Sequence, residues 1–346
     1  MVAPAPSPEA VSGPSIETLE TILDVTYTWG YQDSRAKLRD LYDKATRAQW
    51  QGDVVLPWHL QPDLEKSMGP EELMPLYGSD IWRRLTEREK AALNVETSAW
   101  TLSQFLHGEQ GALLAAAQLV DSVGDLDSKL YASSQVMDEA RHVDVYNRYL
   151  HEKVGFAYPI NPHLKTLLDM ILKDSRWDMK FLGMQIMVEG LALAAFGMIR
   201  MNTPDPLLRE LTAYVMGDEA RHVAYGVLSL RDYYRDQPEA MRREREDFVY
   251  EAARLMRDRF LFQEVWEKVG LPVQQCMDIA LHNQGQVMFR QLLFAKIVPA
   301  IKKMDLLSDR QRVRFAELGI LQFESAPDPF AELEREEAAA ARRASA

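Results

Sequence analysis

The chain has a single cysteine in 346 residues, Cys276. That excludes an internal disulfide, a Cys-rich zinc site, a rubredoxin-type iron centre and a cysteine-ligated iron–sulfur cluster, so any electrons the protein uses must arrive from a separate donor. An excess of basic residues is also missing: 40 Lys and Arg stand against 52 Asp and Glu, for a formal charge of −12. A sequence-independent grip on nucleic acid needs clustered cations to neutralise phosphates, which argues against nucleic acid as a partner. The opening MVAPAPSPEAVSGPS lacks the basic-then-apolar order of a secretory signal, so residues 1–15 read as a flexible leader and the protein as cytoplasmic. One apolar run, FLGMQIMVEGLALAAFGMI at 181–199, is long enough to resemble a membrane span. Glu189 sits at its centre, where a carboxylate would be costly in lipid, so this run is expected as a helix buried within protein.

Alternating β patterns are scarce as well. Apolar residues instead recur at three- and four-residue spacing through 16–50, 85–122, 126–153, 165–202, 205–235, 238–268 and 272–303. Breaks fall at Gly124-Asp125, Pro159 to Pro162, Pro204 to Pro206, Pro238 and Gly270 to Pro272. The segment 51–80, with Pro57, Pro62, Gly69 and Pro70, reads as an irregular excursion. The expectation is an all-α protein: one helical domain over 16–323 with a four-helix core at 101–235, extra helices before and after it, and a flexible or frayed helical tail at 324–346.

What the chain does have is one word written twice. DEARHV occupies 138–143 and again 218–223, and each copy has a glutamate 30 residues before its own: Glu109 before Glu139, Glu189 before Glu219. Thirty residues of continuous helix would part each pair by about 45 Å. The midpoints, however, are Gly124 and Pro204, both in turn sequences, so 101–153 and 181–233 read as two copies of an αα-hairpin that brings each glutamate level with the next. Within each DEARH the Glu and His are three positions apart and share a helix face. Two Glu-x-x-His helices plus one Glu from each of two others is the ligand set of the ferritin-like di-iron and di-manganese bundles. A surface salt-bridge ladder is the plain alternative, but Glu109 and Glu189 lie in strongly apolar surroundings, where a carboxylate without a partner is unfavourable. The oxygen-rich six-ligand set favours iron over zinc.

These residues, spanning 109–233, resemble the ferritin-like carboxylate-bridged di-iron oxygenases and oxidases: bacterial multicomponent monooxygenase hydroxylases, ribonucleotide reductase small subunits and p-aminobenzoate N-oxygenases. The resemblance implies that Glu109, Glu139 and His142 hold one iron, that Glu189, Glu219 and His222 contribute to the other, and that some carboxylates bridge. A mixed Mn/Fe pair would suit the same ligands. It also implies dioxygen as co-substrate, a small organic substrate to be hydroxylated or N-oxygenated, an external reductase or ferredoxin as electron donor, and a homodimer.

Around this set the reading names further candidates. Asp138 and Asp218 point about 100° away from the neighbouring ligand Glu. A metal-bound imidazole needs an acceptor for its other N–H; a cross-pair similar to that of the related families is expected, Asp138 with His222 and Asp218 with His142, and an exposed first-turn Asp is the plain alternative. Arg141 and Arg221 would offset the negative charge. Seven residues after its Glu the first half has Tyr146 and the second Gly226, which suggests one filled side and one open side. Tyr146 also resembles the radical tyrosine of ribonucleotide reductase subunits, so a radical-generating subunit is an alternative function, and an iron-binding ferroxidase a further one. Ala112, Ala116 and Ala192, with Leu113, Leu193 and Phe196, are expected to shape an apolar pocket. His107 and His282 read as structural. Two departures matter. The N-oxygenases carry a third His one turn before the second Glu-x-x-His, where this chain has Val215. The tail 325–346 lacks the aromatic relay of a reductase subunit. The 30-residue interval and the all-Glu set look most like a monooxygenase hydroxylase.

Overall fold

A computed structural model describes residues 16–326 apart from 33, 34 and 67, so the leader at 1–15 and the tail from 327 onward lie outside the described residues. Every regular element among the described residues is helical. The core is built by α2 (Glu87–Ser122), α3 (Leu126–Tyr149), α5 (Trp177–Asn202) and α6 (Pro206–Leu230), with α1 (Ala36–Arg47) laid across α3 and α6. Helix α4 (Pro162–Lys173) packs on α2, and α7 (Glu239–Asp258) packs on α4 and on the middle of α5. Five short helices follow: α8 (Gln263–Val269), α9 (Val273–His282), α10 (Gln284–Leu292), α11 (Ile297–Lys303) and α12 (Asp309–Glu317).

Local chemistry sets the reversals. Thr86 and Glu89 form a reciprocal capping box that starts α2, and Asp125 accepts the Ser128 N–H to start α3. Between them only residues 123–125 are non-helical, so the chain turns back at Gly124. The second turn has Asp205 capping α6 with Pro206 in its first turn, where a missing N–H costs nothing. Both reversals therefore sit midway between the paired glutamates. Helix α5 is long and apolar enough to cross a membrane, but 67% of its most apolar window is buried in protein. Its residues Leu182–Val188 are wound as a π-helix, immediately before Glu189.

Four expected helices differ. Residues 16–31 are not helical, because the run VTYTWGY is rich in β-branched and aromatic residues that favour extended backbone. This extended segment is pinned to the first turn by Thr26 N–H to Asp121 O (2.9 Å) and Thr28 Oγ1 to Gly124 O (2.8 Å). The stretch 165–202 is two helices, broken where the Asp174 carboxylate accepts the Arg176 N–H (2.9 Å), a side-chain turn that competes with the helix. The stretch 238–268 breaks at Phe262, which is held in the left-handed region at φ 56, and 272–303 is divided into three helices, the second capped by Asn283.

Gly226 corrects another expectation. It does not leave an open side: a Cβ there would lie 2.6 Å from Gln185 Cβ and 3.3 Å from Ile186 Cδ1. The glycine lets α6 press directly against the π-helix. Gly226→Ala should lower stability by about 1–3 kcal/mol, the cost of overpacking a rigid contact. Chemical denaturation of the metal-free protein reads this, and an unchanged midpoint would show that the two helices have slack.

Candidate metal centre

Glu109 comes from α2, Glu139 and His142 from α3, Glu189 from α5, and Glu219 and His222 from α6; none is more than 5% exposed. His142 Nδ1 lies 3.2 Å from Glu109 Oε2, 3.4 Å from Glu139 Oε2 and 3.3 Å from Glu219 Oε1. His222 Nδ1 lies 3.1 Å from Glu139 Oε1 and 3.5 Å from Glu219 Oε1. Two groups of donor atoms result, each within a 4.8 Å span: Glu109, Glu139, His142 and Glu219, and Glu139, Glu189 and His222. Glu139 belongs to both groups, and Glu219 also reaches both imidazoles. The sequence grouped Glu219 with the second metal and left open which carboxylates bridge; Glu139 and Glu219 are the two carboxylates that approach both imidazoles.

The donor set fits a pair of divalent metal ions. Glu139 Oε2, Glu189 Oε2, both Glu219 carboxylate oxygens and His222 Nδ1 are buried without a hydrogen-bond partner among the described residues. Such atoms are expensive to leave unmet. Four carboxylates also match the charge of two divalent cations.

Behind each imidazole stands an aspartate from the opposite hairpin. Asp218 Oδ2 lies 3.1 Å from His142 Nε2, and Asp138 Oδ2 lies 3.4 Å from His222 Nε2. Both rings thereby turn Nδ1 toward the cluster. Arg141 donates to Asp138 and, at 3.0 Å, to Asp218, while Arg221 donates to Asp218. Two arginines thus offset the two aspartates.

Sequence reasoning missed four residues here. Trp50 Nε1 donates to Asp218 Oδ2 (2.7 Å), with the Arg141 guanidinium 4.6 Å over its ring. Gln49 donates to Asp138 Oδ1 (2.8 Å) and accepts from Arg141 (2.8 Å). Both follow α1, and no spacing relates them to DEARHV. Gln135 Nε2 donates to Glu139 Oε1 (2.9 Å) and Glu189 Oε1 (2.8 Å), and Gln185 Nε2 donates to Gln135 Oε1 at 3.4 Å. Gln135 stands one turn before Glu139, so an i, i+4 search would have found it. Its counterpart in the second half is the fully buried Val215.

Tyr146 is fully buried, and its hydroxyl has no hydrogen-bond partner among the described residues. Burial, with the charges of Glu109 and Glu219, holds the phenol well above its ordinary pKa and keeps it neutral. Its ring stacks on Phe196 at 5.9 Å. Ala112 and Ala116 are packed into the core, and neither they nor Ala192, Leu113, Leu193 or Phe196 line the apolar cavity bounded by Met68, Leu102, Ala195 and Phe262. That cavity lies at the opposite end of α2, before Glu109. His107 Nε2 lies 2.9 Å from Tyr158 O, and His282 Nδ1 lies 2.8 Å from Asp278 O; neither joins the cluster.

Without metal, the cluster stores protons. Burial pushes Glu109 and Glu189 well above the usual carboxylate range, Glu219 adding to the effect in both, though His142 opposes it at Glu109. Burial opposes charge on the imidazoles, but Glu109 beside His142, and Glu139 and Glu219 beside His222, lift both well above the ordinary value. Glu139 is buried too, yet His222 and His142 hold its carboxyl low.

The fold and this cluster together define a ferritin-like bundle suited to a dimetal centre, the architecture of oxygen-dependent carboxylate-bridged oxidoreductases. Residues 31–305, roughly four-fifths of the chain, match the family model of p-aminobenzoate N-oxygenase AurF. The chain belongs to that family, whose members are oxygen-dependent oxidoreductases. The sequence reading had placed the monooxygenase hydroxylases nearest; the match falls on the N-oxygenase group although Val215 replaces its third histidine. No curated protein matches. Among solved structures, a point mutant of an R2-like ligand-binding oxidase with an anaerobically reconstituted Mn/Fe cofactor superposes with a TM-score of 0.52 at 18% identity, covering 82% of this chain and 99% of that one. The R2-like ligand-binding oxidase with an aerobically reconstituted Mn/Fe cofactor gives 0.46 at 18% identity, covering 87% and 99%. The former likeness shows the shared fold.

Metal uptake should saturate at two ions per chain and release protons, so affinity should rise with pH as the metal-free imidazoles and carboxylates lose theirs. Calorimetric titration in buffers of different ionisation enthalpy checks this; one ion bound without proton release would refute it. Asp218→Asn should weaken metal affinity by roughly 10–100-fold with all six donors intact, since it removes the charge that orients His142. Equal affinity in that variant would reduce Asp218 to a structural partner of Arg141 and Arg221.

Proposed function

We propose that this chain is a dimetal oxygenase that uses dioxygen to oxidise a small organic substrate, with Glu109, Glu139, His142, Glu189, Glu219 and His222 as its metal ligands. Iron in both positions is the first choice, and an Mn/Fe pair suits the same oxygen-rich set. The observation that carries the reading is the convergence of unpartnered carboxylate and imidazole atoms in a sealed apolar core. A surface ion-pair ladder would have met water instead.

When bound and reduced, the metal pair supplies the electrons that activate dioxygen. The chain's own residues do the rest. Asp138 and Asp218 accept from the Nε2 atoms of His222 and His142, keeping both Nδ1 lone pairs directed at the metals. Gln135 donates to Glu139 and Glu189 and limits how far those carboxylates swing. The apolar walls of α2 and α5 keep bulk water out. Tyr146 presents a neutral hydroxyl beside Glu109 and Glu219, placed to donate a proton or hydrogen atom on the side where substrate would enter.

The N-oxygenation named for the family is one form this oxidation would take, and C-hydroxylation the other; Val215 in place of the third histidine favours a six-residue ligand set for either. Electrons come from a separate reductase or ferredoxin, because the only cysteine is buried and alone. We further propose a cytoplasmic homodimer working as one domain over 16–323.

Iron-loaded protein, reduced anaerobically and exposed to isotopically labelled dioxygen with a panel of small amines and aromatics, should return a product carrying one labelled oxygen atom. Tyr146→Phe should retain both metals and slow product formation. Accumulation of many ferric ions per chain with no oxidised product would point to iron storage and overturn the proposal.

A further inference from the structure

A cavity of about 160 Å³ lies among α2, the end of α5, the start of α6, the excursion at 68–75, and Phe262 and Phe289. An engineered protein cavity of roughly 150 Å³ accommodates benzene, so this space has the size of a single ring. Its walls are apolar, with Met68, Met74, Leu102, Ala195, Phe262 and Phe289 prominent. No Lys, Arg, His, Asp or Glu lines it. An ionised ligand would be stripped of water there with nothing to pair with.

The polar groups in the wall are mostly engaged. Asn94 Oδ1 accepts from Met68 N–H (2.7 Å), and the Thr97 and Thr101 hydroxyls donate back to Leu93 O (3.0 Å) and Thr97 O (2.8 Å). Gln286 differs. Its Nε2 donates to Leu73 O (2.6 Å), which fixes the amide orientation, while its buried Oε1 has no partner among the described residues. Gln286 is only 4% exposed and its Oε1 is closed off from the cavity as from solvent, so the wall offers a ligand no free acceptor there. Phe262 is held at φ 56, a conformation a bulky residue rarely adopts, and its ring forms part of the wall.

The cavity is also in line with the metal cluster. Leu102 precedes Glu109 by seven residues on α2, and Ala195 follows Glu189 by six on α5, so the wall lies about 9–11 Å along each helix from a candidate ligand carboxylate. Next inward stand Phe105 and Phe196, both buried, edge to face at 4.6 Å. Tyr146 follows, its ring 6.4 Å from Phe105 and 5.9 Å from Phe196.

Resting on the oxygenase reading above, we infer that this cavity is the substrate chamber, that it takes an uncharged molecule of single-ring size, and that Phe105 and Phe196 are the partition it passes to reach Tyr146 and the metals. The absence of a cation in the wall excludes a carboxylate-bearing ligand, and the absence of an anion excludes an ammonium.

Binding of aniline, toluene and benzoate to the full chain at neutral pH, with and without iron, tests this by calorimetry and ligand-observed NMR. Aniline should bind in both states, at least about tenfold more tightly than benzoate, the expected effect of an unpaired buried charge. Toluene should bind at least as tightly as aniline, since the wall is mainly apolar. Ala195→Trp should abolish binding while leaving two metals per chain; Thr101→Phe, at a half-buried part of the same wall, serves if that variant does not fold. Benzoate binding as tightly as aniline, binding by none of the three, or full aniline affinity in both filled-cavity variants would overturn the inference. Metal content is read separately, so failure of the dimetal reading would appear as lost iron stoichiometry with aniline binding intact.

Discussion

Four carboxylates and two imidazoles share the centre of an apolar helical bundle, and the rest of the structure is organised around the cost of putting them there. A carboxylate taken out of water is costly unless its charge is met in place. In the bare protein that charge is met by protons, retained by Glu109 and Glu189 because they are buried and shared with His142 and His222 because they are close. Two divalent cations match it better. The site therefore holds back stability that metal can release, and this is a reason for so apolar a stretch as 181–199 to carry a glutamate at its middle.

Charge is arranged in two layers. The inner glutamates face the metal positions, while the outer Asp138 and Asp218 are met by Arg141 and Arg221. The outer layer is also where the site is tied to the surrounding fold. Gln49 and Trp50, at the end of α1, bond to the two aspartates and close one side of the bundle. On the other side Gly226 admits the π-helix of α5, bringing Gln185 to Gln135 and Gln135 to two ligand carboxylates. The two hairpins are related in sequence but not equivalent in use: the position one turn before the Glu-x-x-His glutamate holds Gln135 in one and Val215 in the other.

The asymmetry extends along the bundle axis. Toward the Gly124 turn the core is filled, with Tyr131 against Tyr225 and Gly226 in direct contact with α5. Toward the Pro204 turn an aromatic set of Tyr146, Phe105 and Phe196 leads from the carboxylates to the apolar cavity. Tyr146 and Gly226 occupy matching places in the repeat but opposite ends of the bundle. That is why the contrast between them, legible in the sequence, did not mark an open face.

The sequence by itself determined the all-helical class, the two hairpins, their turns at Gly124 and Pro204, and the six candidate ligands, because each depends on spacing along one helix or across one short turn. The pairing of each aspartate with the opposite histidine was an expectation taken from the resemblance, since a residue adjacent to a ligand lies about 100° round the helix and faces either a neighbouring helix or solvent. Only the tertiary structure decided the rest. Gln49 and Trp50 reach the aspartates from 89 and 168 residues away, a relation no periodicity records. The extended course of 16–31 and the breaks at Asp174 and Phe262 arose where side-chain turns, β-branched runs or a strained backbone overrode an apolar period that looked helical. Which carboxylates approach both imidazoles, and at which end of the bundle space remains, depend on how four helices approach one another. That approach is set by close packing at Gly226 and the extra π-helical residue before Glu189, physical contacts between segments that the linear chain keeps apart.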